Sequence, residues 1–387
     1  MDFELTKEQI MFRNMAREFV KREVTHEELR EYDRQEKDNP ILRKKCGDIG
    51  FLGMLIPKEY GGLGLDYLTT TVVIEELGKA HYELGSSVGA AALCGTPILL
   101  GGTEAQKRKY LPWLISGEKV FCVAANEANA GSDGSAIETT AVLVGDEWVI
   151  NGTKTFIASG GVADVIELFA QTDKSKGYKG QAIFIVERQT PGVYINEIKH
   201  MLGQRSASQA NIRLVDCRIP KENLMGELGK GLRLALSGIS DMRWGIAAAT
   251  VGMAQDCLDR CINYVQTRHQ FGRAIGSFQL VQGILADMAT EIEAARYLTY
   301  HLAYLKDNKL PHRKETSMAK PYATEMAMRV TAAAIHLHGA YATTDDLPLE
   351  ERYRTAILPT IYGGTSEMHR LFIGRELTGI DAIAPTA

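Results

Sequence analysis

The segment TTAVLVGDEWVINGTKTFIASGG (139–161) is the stretch whose reading decides the fold. Its apolar runs are punctuated by Gly145-Asp146 and Asn151-Gly152, both dipeptides typical of tight hairpins. QAIFIVE (181–187), GVYINEI (192–198) and QANIRLVDCRIP (209–220) continue the period of two. Together they predict a small antiparallel β unit of short strands from about Phe121 to Pro220. The chain on both sides has a helical period.

Before the β unit, Thr6 and Gln9 form a capping box, after which Met11, Met15, Phe19 and Val20 fall on one face. YLTTTVVIEELGKA (67–80) is a further helix. GTEAQKRKYLPWL (102–114) begins another that Pro112 is expected to break. After GELGKGLRLAL (226–236), three long segments beginning at Arg243, Ser277 and Met318 carry wide apolar faces separated by short polar breaks, the pattern of a helical bundle. Their Ala-rich faces (Ala247 to Ala249, Ala332 to Ala334) suit close helix approach, within the chain or against other subunits. The class is therefore α+β, with an N-terminal all-helical domain (1–120), a central β domain (121–225) and a C-terminal helical bundle (226–387).

Bulk chemistry narrows the function. A chain of 387 residues, 45% apolar and 24% charged, is ordinary for a globular protein. With 44 basic against 48 acidic residues, nothing calls for nucleic acid or an anionic membrane as partner. The six cysteines show no CxxC spacing, and free buried thiols are expected. MDFELTKEQI has neither signal-peptide nor transit-peptide character, and no apolar run reads as a membrane span, so a cytoplasmic protein is expected. YGGLGLD (60–66) has a G-x-G with no strand before it, and is read as a turn between helices.

PTIYGGTSEMHR (359–370) contains two glycines that bring backbone close to something. Thr-Ser-Glu then looks like a helix start, yet the turn itself holds no acid or base. Around it stand ANEANAGSD (125–133), NGTKTFIAS (151–159), RHQFGRAIGSFQLVQ (268–282), HLHGAYATTDDLPLEERYR (336–354) and IYGGTSEMHRLFIGRE (361–376). In this order and spacing they resemble the acyl-CoA dehydrogenase family of flavoproteins over essentially the whole chain. The resemblance implies that family's fold, with the β domain as a small antiparallel barrel and the last domain as a four-helix bundle. It also implies bound FAD, an acyl-CoA substrate, an electron-transferring flavoprotein or similar acceptor, and a homotetramer.

By the same resemblance, Gly131 and Ser132 present backbone N–H groups to the flavin or its phosphates. Ile157 and Ser159 flank the isoalloxazine, while Arg268, Gln270, Phe271 and Gln279 reach FAD from a neighbouring subunit. Gly339, Thr365 and Glu367 are further cofactor contacts. Asn126 stands where Thr is usual, Phe156 where Trp is usual, and His336 with Ala340 where Gln and Gly are usual. Asn can still hydrogen-bond and Phe can still stack. Ser132, Arg243, Tyr362 and Gly364 correspond to substrate or CoA contacts.

The usual reaction of the family removes a proton from Cα of a thioester while a hydride leaves Cβ. The backbone N–H of Gly363 would hold the thioester carbonyl. Most members carry a catalytic Glu at the position of Gly363; a minority carry it immediately before an Arg, where this chain has Met242 before Arg243. Both positions lack a carboxylate. Asp241 lies one residue earlier and is the candidate base if a helix starts there and leaves its backbone free. Alternatively it complements a helix dipole or contacts CoA. GSSVGAAALCGTPILLGG (85–102) would line the acyl cavity; its small residues either leave room for a bulky, branched or cyclic acyl group or let helices pack closely. The reading is an FAD-dependent acyl-CoA dehydrogenase with an atypical base. The alternative is 1,4-elimination on a cyclic enoyl-CoA, or desulfination.

Overall fold

The computed structural model describes residues 4–383. Six helices come first: α1 (Lys7–Glu23), α2 (His26–Gln35), α3 (Pro40–Asp48), α4 (Tyr67–Ala80), α5 (Tyr82–Gly101) and α6 (Glu104–Ser116). Thr6 and Gln9 cap α1 reciprocally, satisfying two backbone donors that a helix start leaves unpaired. Phe19 and Ala16 are buried, but Met11 is 57% exposed and lies off the packed face. Pro112 sits inside α6 and does not end it. A second capping box, Thr103 with Gln106, and the burial of Tyr110, Leu111 and Leu114 outweigh the one hydrogen bond a proline removes. By length and composition α5 could cross a membrane, contrary to the expectation that no run is apolar enough; it is packed instead as a core helix against α4 and α6.

The β unit comprises β1 (Phe121–Ala124), β2 (Thr140–Val144), β3 (Glu147–Ile157), β4 (Val165–Gln171), β5 (Gln181–Glu187), β6 (Val193–Glu197), β7 (Ala210–Pro220) and β8 (Leu224–Met225). The order is β6-β7-β3-β2-β4-β5-β8, with β1 beside β4. Most pairs are antiparallel, but β1 and β2 each run parallel to β4, so the sheet is mixed. Gly145-Asp146 does turn β2 into β3. Asn151-Gly152 does not turn the chain; it lies inside β3, where a Cβ on Gly152 would collide with the Thr139 hydroxyl. Close approach, not a hairpin, explains that glycine.

β4 is buried on both faces, which makes it apolar throughout apart from Glu167 and the terminal Gln171. Ile166, Leu168 and Ala170 join the β core with Trp148 and Phe184; Val165 and Phe169 join the helical core. Glu167 is buried within this strand, and its Oε1 has no hydrogen-bond partner among the described residues. Burial pushes its carboxyl well above the usual range. Below the unfolded-state pKa both states keep the proton; above it only the folded state does, so stability falls as pH rises through the folded pKa. Glu167→Gln should therefore gain about 1–3 kcal/mol over the parent at pH 8, the order of an unsatisfied buried group, and far less at pH 4. Urea midpoints at both pH values check this.

The last unit holds α7 (Gly231–Thr267), β9 (His269–Gln270), β10 (Arg273–Ala274), α8 (Gln279–Asp307), α9 (Arg313–His338), α10 (Leu349–Ala356) and α11 (Ser366–Thr378). α7 is the axis of the molecule, packed by α4, α5, α8 and α9. Small residues carry these contacts: a Cβ on Gly89 of α5 would stand 3.0 Å from the Gly245 Cα, and one on Gly78 of α4 2.8 Å from the Ala249 Cα. All six cysteines are buried and unpaired.

Candidate active site

Tyr362, Gly363 and Gly364 form a turn ahead of α11, whose N-cap is Thr365 accepting from the Met368 N–H. Gly363 (φ 69°) and Gly364 (φ 95°) both occupy the left-handed region that favours glycine. The turn is clamped by its carbonyls. Arg243 Nε donates to the Gly363 oxygen at 2.6 Å, with His369 Nε2 3.3 Å from the same oxygen, and Lys320 Nζ donates to the Gly364 oxygen at 2.7 Å. The Gly363 N–H has no backbone partner among the described residues.

Among the described residues, the three basic side chains face each other without a buried carboxylate between them. Burial first, then Arg243, brings the Lys320 amine down to about 7. Burial, Arg243 and Lys320 bring His369 down to about 3, and burial with Arg313 lowers Arg243 to about 10. His369 is therefore neutral near pH 7 and the charge behind the turn is chiefly that of Arg243; a cation behind an N–H without a backbone partner suits a developing oxyanion.

Among the described residues, no carboxylate stands against Gly363. A Cβ on Gly363 would sit 3.1 Å from Met242 Cε and 3.2 Å from Ile246 Cδ1. Thus the two positions at which the resemblance implies a glutamate face each other across apolar side chains. Gly363→Glu should cost about 1–2 kcal/mol, because a side chain at this φ is strained and must displace the Met242 tip. Chemical denaturation measures it.

The expectation that Asp241 begins a helix is corrected. It lies well inside α7, which starts at Gly231, so the 100° rotation between neighbours holds in full. Met242 faces the turn, and Asp241 turns instead into a buried polar cluster. Its Oδ1 accepts from Lys306 Nζ (2.6 Å) and the Tyr67 hydroxyl (3.0 Å), and its Oδ2 from the Thr96 hydroxyl (2.5 Å). Both oxygens are committed to structure, which removes the basis on which it was the candidate base. Arg243 likewise spends its Nε on the turn.

On the other side of Tyr362 stands a second group that the sequence did not announce. Its hydroxyl lies 2.5 Å from that of Tyr82 and accepts from Gln204 Nε2 at 2.9 Å. Two residues beyond Gln204, the Ser206 hydroxyl donates to Glu83 Oε2, and Glu83 follows Tyr82 at the start of α5. Three parts of the chain meet here: the head of α5, the 203–208 loop of the β unit, and the glycine turn.

The residues expected to hold a cofactor fall into three groups, each with exposed members. Gln270, Phe271, Gln279 and His336 line one groove of about 750 Å³. Arg268 caps α7 and is outside that lining, while Arg273, which was not singled out, is in it and stacks 4.1 Å over Phe278. His336 and His338 point apart; His338 is buried against Tyr264. The second group is the exposed loop with Asn126, Gly131 and Ser132, together with Phe156 and Ser159 at the end of β3. A buried ion pair not foreseen from the sequence, Lys154 Nζ to Glu127 Oε1 at 2.7 Å, pins that loop, and Glu127 also accepts from the Glu138 and Thr139 N–H groups. Ile157 is a correction: its side chain is turned into the β core, so only its backbone remains to face a ligand. Gly339, which ends α9 at φ 63°, and Thr365 with the exposed Glu367 make the third group.

These residues fit a flavin nucleotide. Phe156 and Phe271 are 62% and 93% exposed, and both are held at positive φ (53° and 52°), a strain that bulky residues rarely accept. Phe271 stands edge-on to Phe278 beside the Arg273 fork and the Gln270 and Gln279 amides, and such exposed aromatic faces with guanidinium and amide donors match an aromatic, phosphate-bearing group.

Comparison with known proteins gives three matches to sequence models of one family. Residues 6–118 match the acyl-CoA dehydrogenase N-terminal domain, 122–217 the middle domain and 229–378 the C-terminal domain. A short-chain specific acyl-CoA dehydrogenase of Clostridium acetobutylicum is 42% identical over 97% of this chain and 100% of its own length. A caffeyl-CoA reductase–Etf complex subunit of Acetobacterium woodii is 38% identical over 95% and 97%. The solved butyryl-CoA dehydrogenase of Megasphaera elsdenii superposes with a TM-score of 0.94 at 35% identity, covering 97% of this chain and 100% of that one.

Proposed function

This chain belongs to the acyl-CoA dehydrogenase family, and from that premise we propose that it interconverts an acyl-CoA and its α,β-unsaturated thioester. The observation that carries this reading is the clamped glycine turn, with the Gly363 N–H left without a backbone partner in front of Arg243, Lys320 and His369. Bound FAD supplies the hydride acceptor or donor. The chain's part is to orient the thioester carbonyl on the Gly363 N–H and to stabilise the charge that develops there when Cα loses a proton. Gly364 keeps the carbonyl side of the turn turned back toward Lys320, and Tyr362 is fixed by Tyr82 and Gln204. Ser132 on its open loop and Arg243 behind the turn are the groups we assign to the CoA portion.

We infer a short acyl group. The glycines of α5 that could have left room for a bulky one are occupied, Gly85 by α4, Gly89 and Gly101 by α7, and Gly95 by Ile56 and Leu114, and the relatives named above include a short-chain enzyme. A relative that is part of a complex with Etf supports an electron-transferring flavoprotein as redox partner. The solvent-facing Phe271 and Leu280 beside the α7–α8 groove support an oligomer, a tetramer by the family's habit, whose neighbouring subunit covers them. An anaerobic titration of the FAD-loaded protein with straight, branched and cyclic acyl-CoAs tests the reading. Bleaching of the flavin by a short straight thioester is expected; flavin that stays oxidised with every thioester overturns it.

A further inference from the structure

The two flanks of Gly363 differ in character. Its carbonyl and that of Gly364 are held by Arg243, His369 and Lys320, so one flank is polar and basic. The other flank is apolar. A Cβ built on Gly363 would meet Met242 Cε at 3.1 Å, Ile246 Cδ1 at 3.2 Å and the aliphatic Cγ of Arg243 at 3.8 Å. A Cβ stands about 2.5 Å from the nitrogen of its own residue, so both side-chain tips lie within about 6 Å of the Gly363 nitrogen.

A thioester oxygen accepting from that nitrogen sits about 2.9 Å from it. The acyl chain can then run toward the basic groups or toward the Met242 and Ile246 methyl groups. Methylenes set against the basic groups would strip water from them without replacing its hydrogen bonds. Set against the methyl groups, the same methylenes are removed from water at a gain. The acyl chain therefore runs along the Met242–Ile246 face of α7.

These two residues are one turn apart and share that face. Ile246 is 3% exposed and β-branched, which makes it a fixed surface. Met242 is half-buried, and its unbranched thioether is free to swing. One turn beyond Ile246 the face reaches Thr250, which stands beside the Tyr82 hydroxyl, itself 2.5 Å from that of Tyr362. The face ends there in hydroxyls. Its apolar part spans one helical turn, about 5.4 Å, which suits a short chain and not a long one.

Resting on the function proposed above, we propose that Met242 is the specificity-determining residue of this site: its thioether tip, beside the fixed Ile246, closes the apolar space next to the Gly363 N–H and restricts the acyl group to a short, unbranched chain. A branch on the acyl chain, or two further methylenes, would need the volume that Met242 fills. The missing side chain at position 363 does not widen the site, because the Met242 methyl already stands where one would project.

The test uses FAD-loaded protein with propionyl-, butyryl-, isobutyryl- and hexanoyl-CoA. Affinity is measured by calorimetry, and flavin bleaching is followed anaerobically. Wild-type protein should bind butyryl-CoA at least about 10-fold more tightly than isobutyryl- or hexanoyl-CoA, the low end of what a filled apolar pocket discriminates per methylene. Met242→Ala should bring those two to within about threefold of butyryl-CoA, with flavin content kept. Met242→Phe should move the preference toward propionyl-CoA. A merely structural role would change affinity for all four thioesters by one factor, and that result overturns the assignment. So does wild-type protein that binds all four alike. Affinity is read whether or not the flavin bleaches, which separates the two proposals. A preference that shifts in Met242→Ala while the flavin stays oxidised overturns the function and supports the specificity role; bleaching with an unshifted preference does the reverse. Wild-type protein that binds none of the four overturns both. If Met242→Ala does not fold, Met242→Phe decides by the same comparison.

Discussion

Asp241→Ala is expected to lower the unfolding free energy by about 3–5 kcal/mol, because it leaves Lys306 charged and unpaired in the interior. Lys306 and Asp241 are each close to fully buried, and their 2.6 Å contact joins α8 to α7. The Tyr67 and Thr96 hydroxyls, from α4 and α5, lose their acceptor in the same substitution. One carboxylate thus ties four helices together. The double variant Asp241→Leu/Lys306→Met should recover more than half of the loss, since replacing both ions by apolar groups removes the uncompensated charge. Urea denaturation of the two single variants and the double one measures this coupling. The refolded double variant should still show thioester-dependent bleaching of its flavin. Its loss, with flavin content intact, would restore Asp241 to the chemistry.

The second large effect is expected at Lys154. Lys154→Met strips the buried Glu127 of its counter-charge, at a cost on the order of 3–5 kcal/mol. The consequence is local as well as global. Glu127 accepts from Lys154, from the Glu138 N–H at 2.6 Å and from the Thr139 N–H at 3.1 Å, so this one side chain closes the loop between β1 and β2. Asn126, Gly131 and Ser132 ride on that loop. The variant should lose flavin on gel filtration where the parent retains it, and limited proteolysis should cut between residues 126 and 139. A variant that keeps its flavin and resists cleavage would show that the ion pair holds the β unit without holding the loop.

Much of the architecture was legible because its signals are local. The switch from period 3.6 to period 2 and back is written in consecutive side chains, and so are the Thr6–Gln9 capping box and Gly145-Asp146. The helix at 67–80 matches α4 end to end. The Thr365 cap follows from a hydroxyl that satisfies a backbone donor three residues on. Misreadings occurred where a local signal was overruled by something distant. Asn151-Gly152 resembles a turn, but the glycine answers to Thr139 across the sheet. Pro112 resembles a stop, but α6 is held by a buried face and a capping box. The first long segment of the bundle reads as beginning at Arg243, but it begins twelve residues earlier. Gly231 instead starts α7 where it must, since a Cβ there would stand 2.6 Å from the Gln181 carbonyl oxygen.

The sequence by itself determined the family, the order of the three units, the glycine turn and the absence of a carboxylate at positions 242 and 363. These rest on residue identity and spacing along the chain. Tertiary structure alone decided which acids are spent. Asp241 meets Lys306 across 65 residues, Arg243 meets the Gly363 carbonyl across 120, and Ser206 meets Glu83 across 123. An ionisable group's role depends on its burial and on the charges within a few ångströms of it. Neighbours so far apart in the chain become neighbours only when it folds, which is why Asp241 looked available in the sequence.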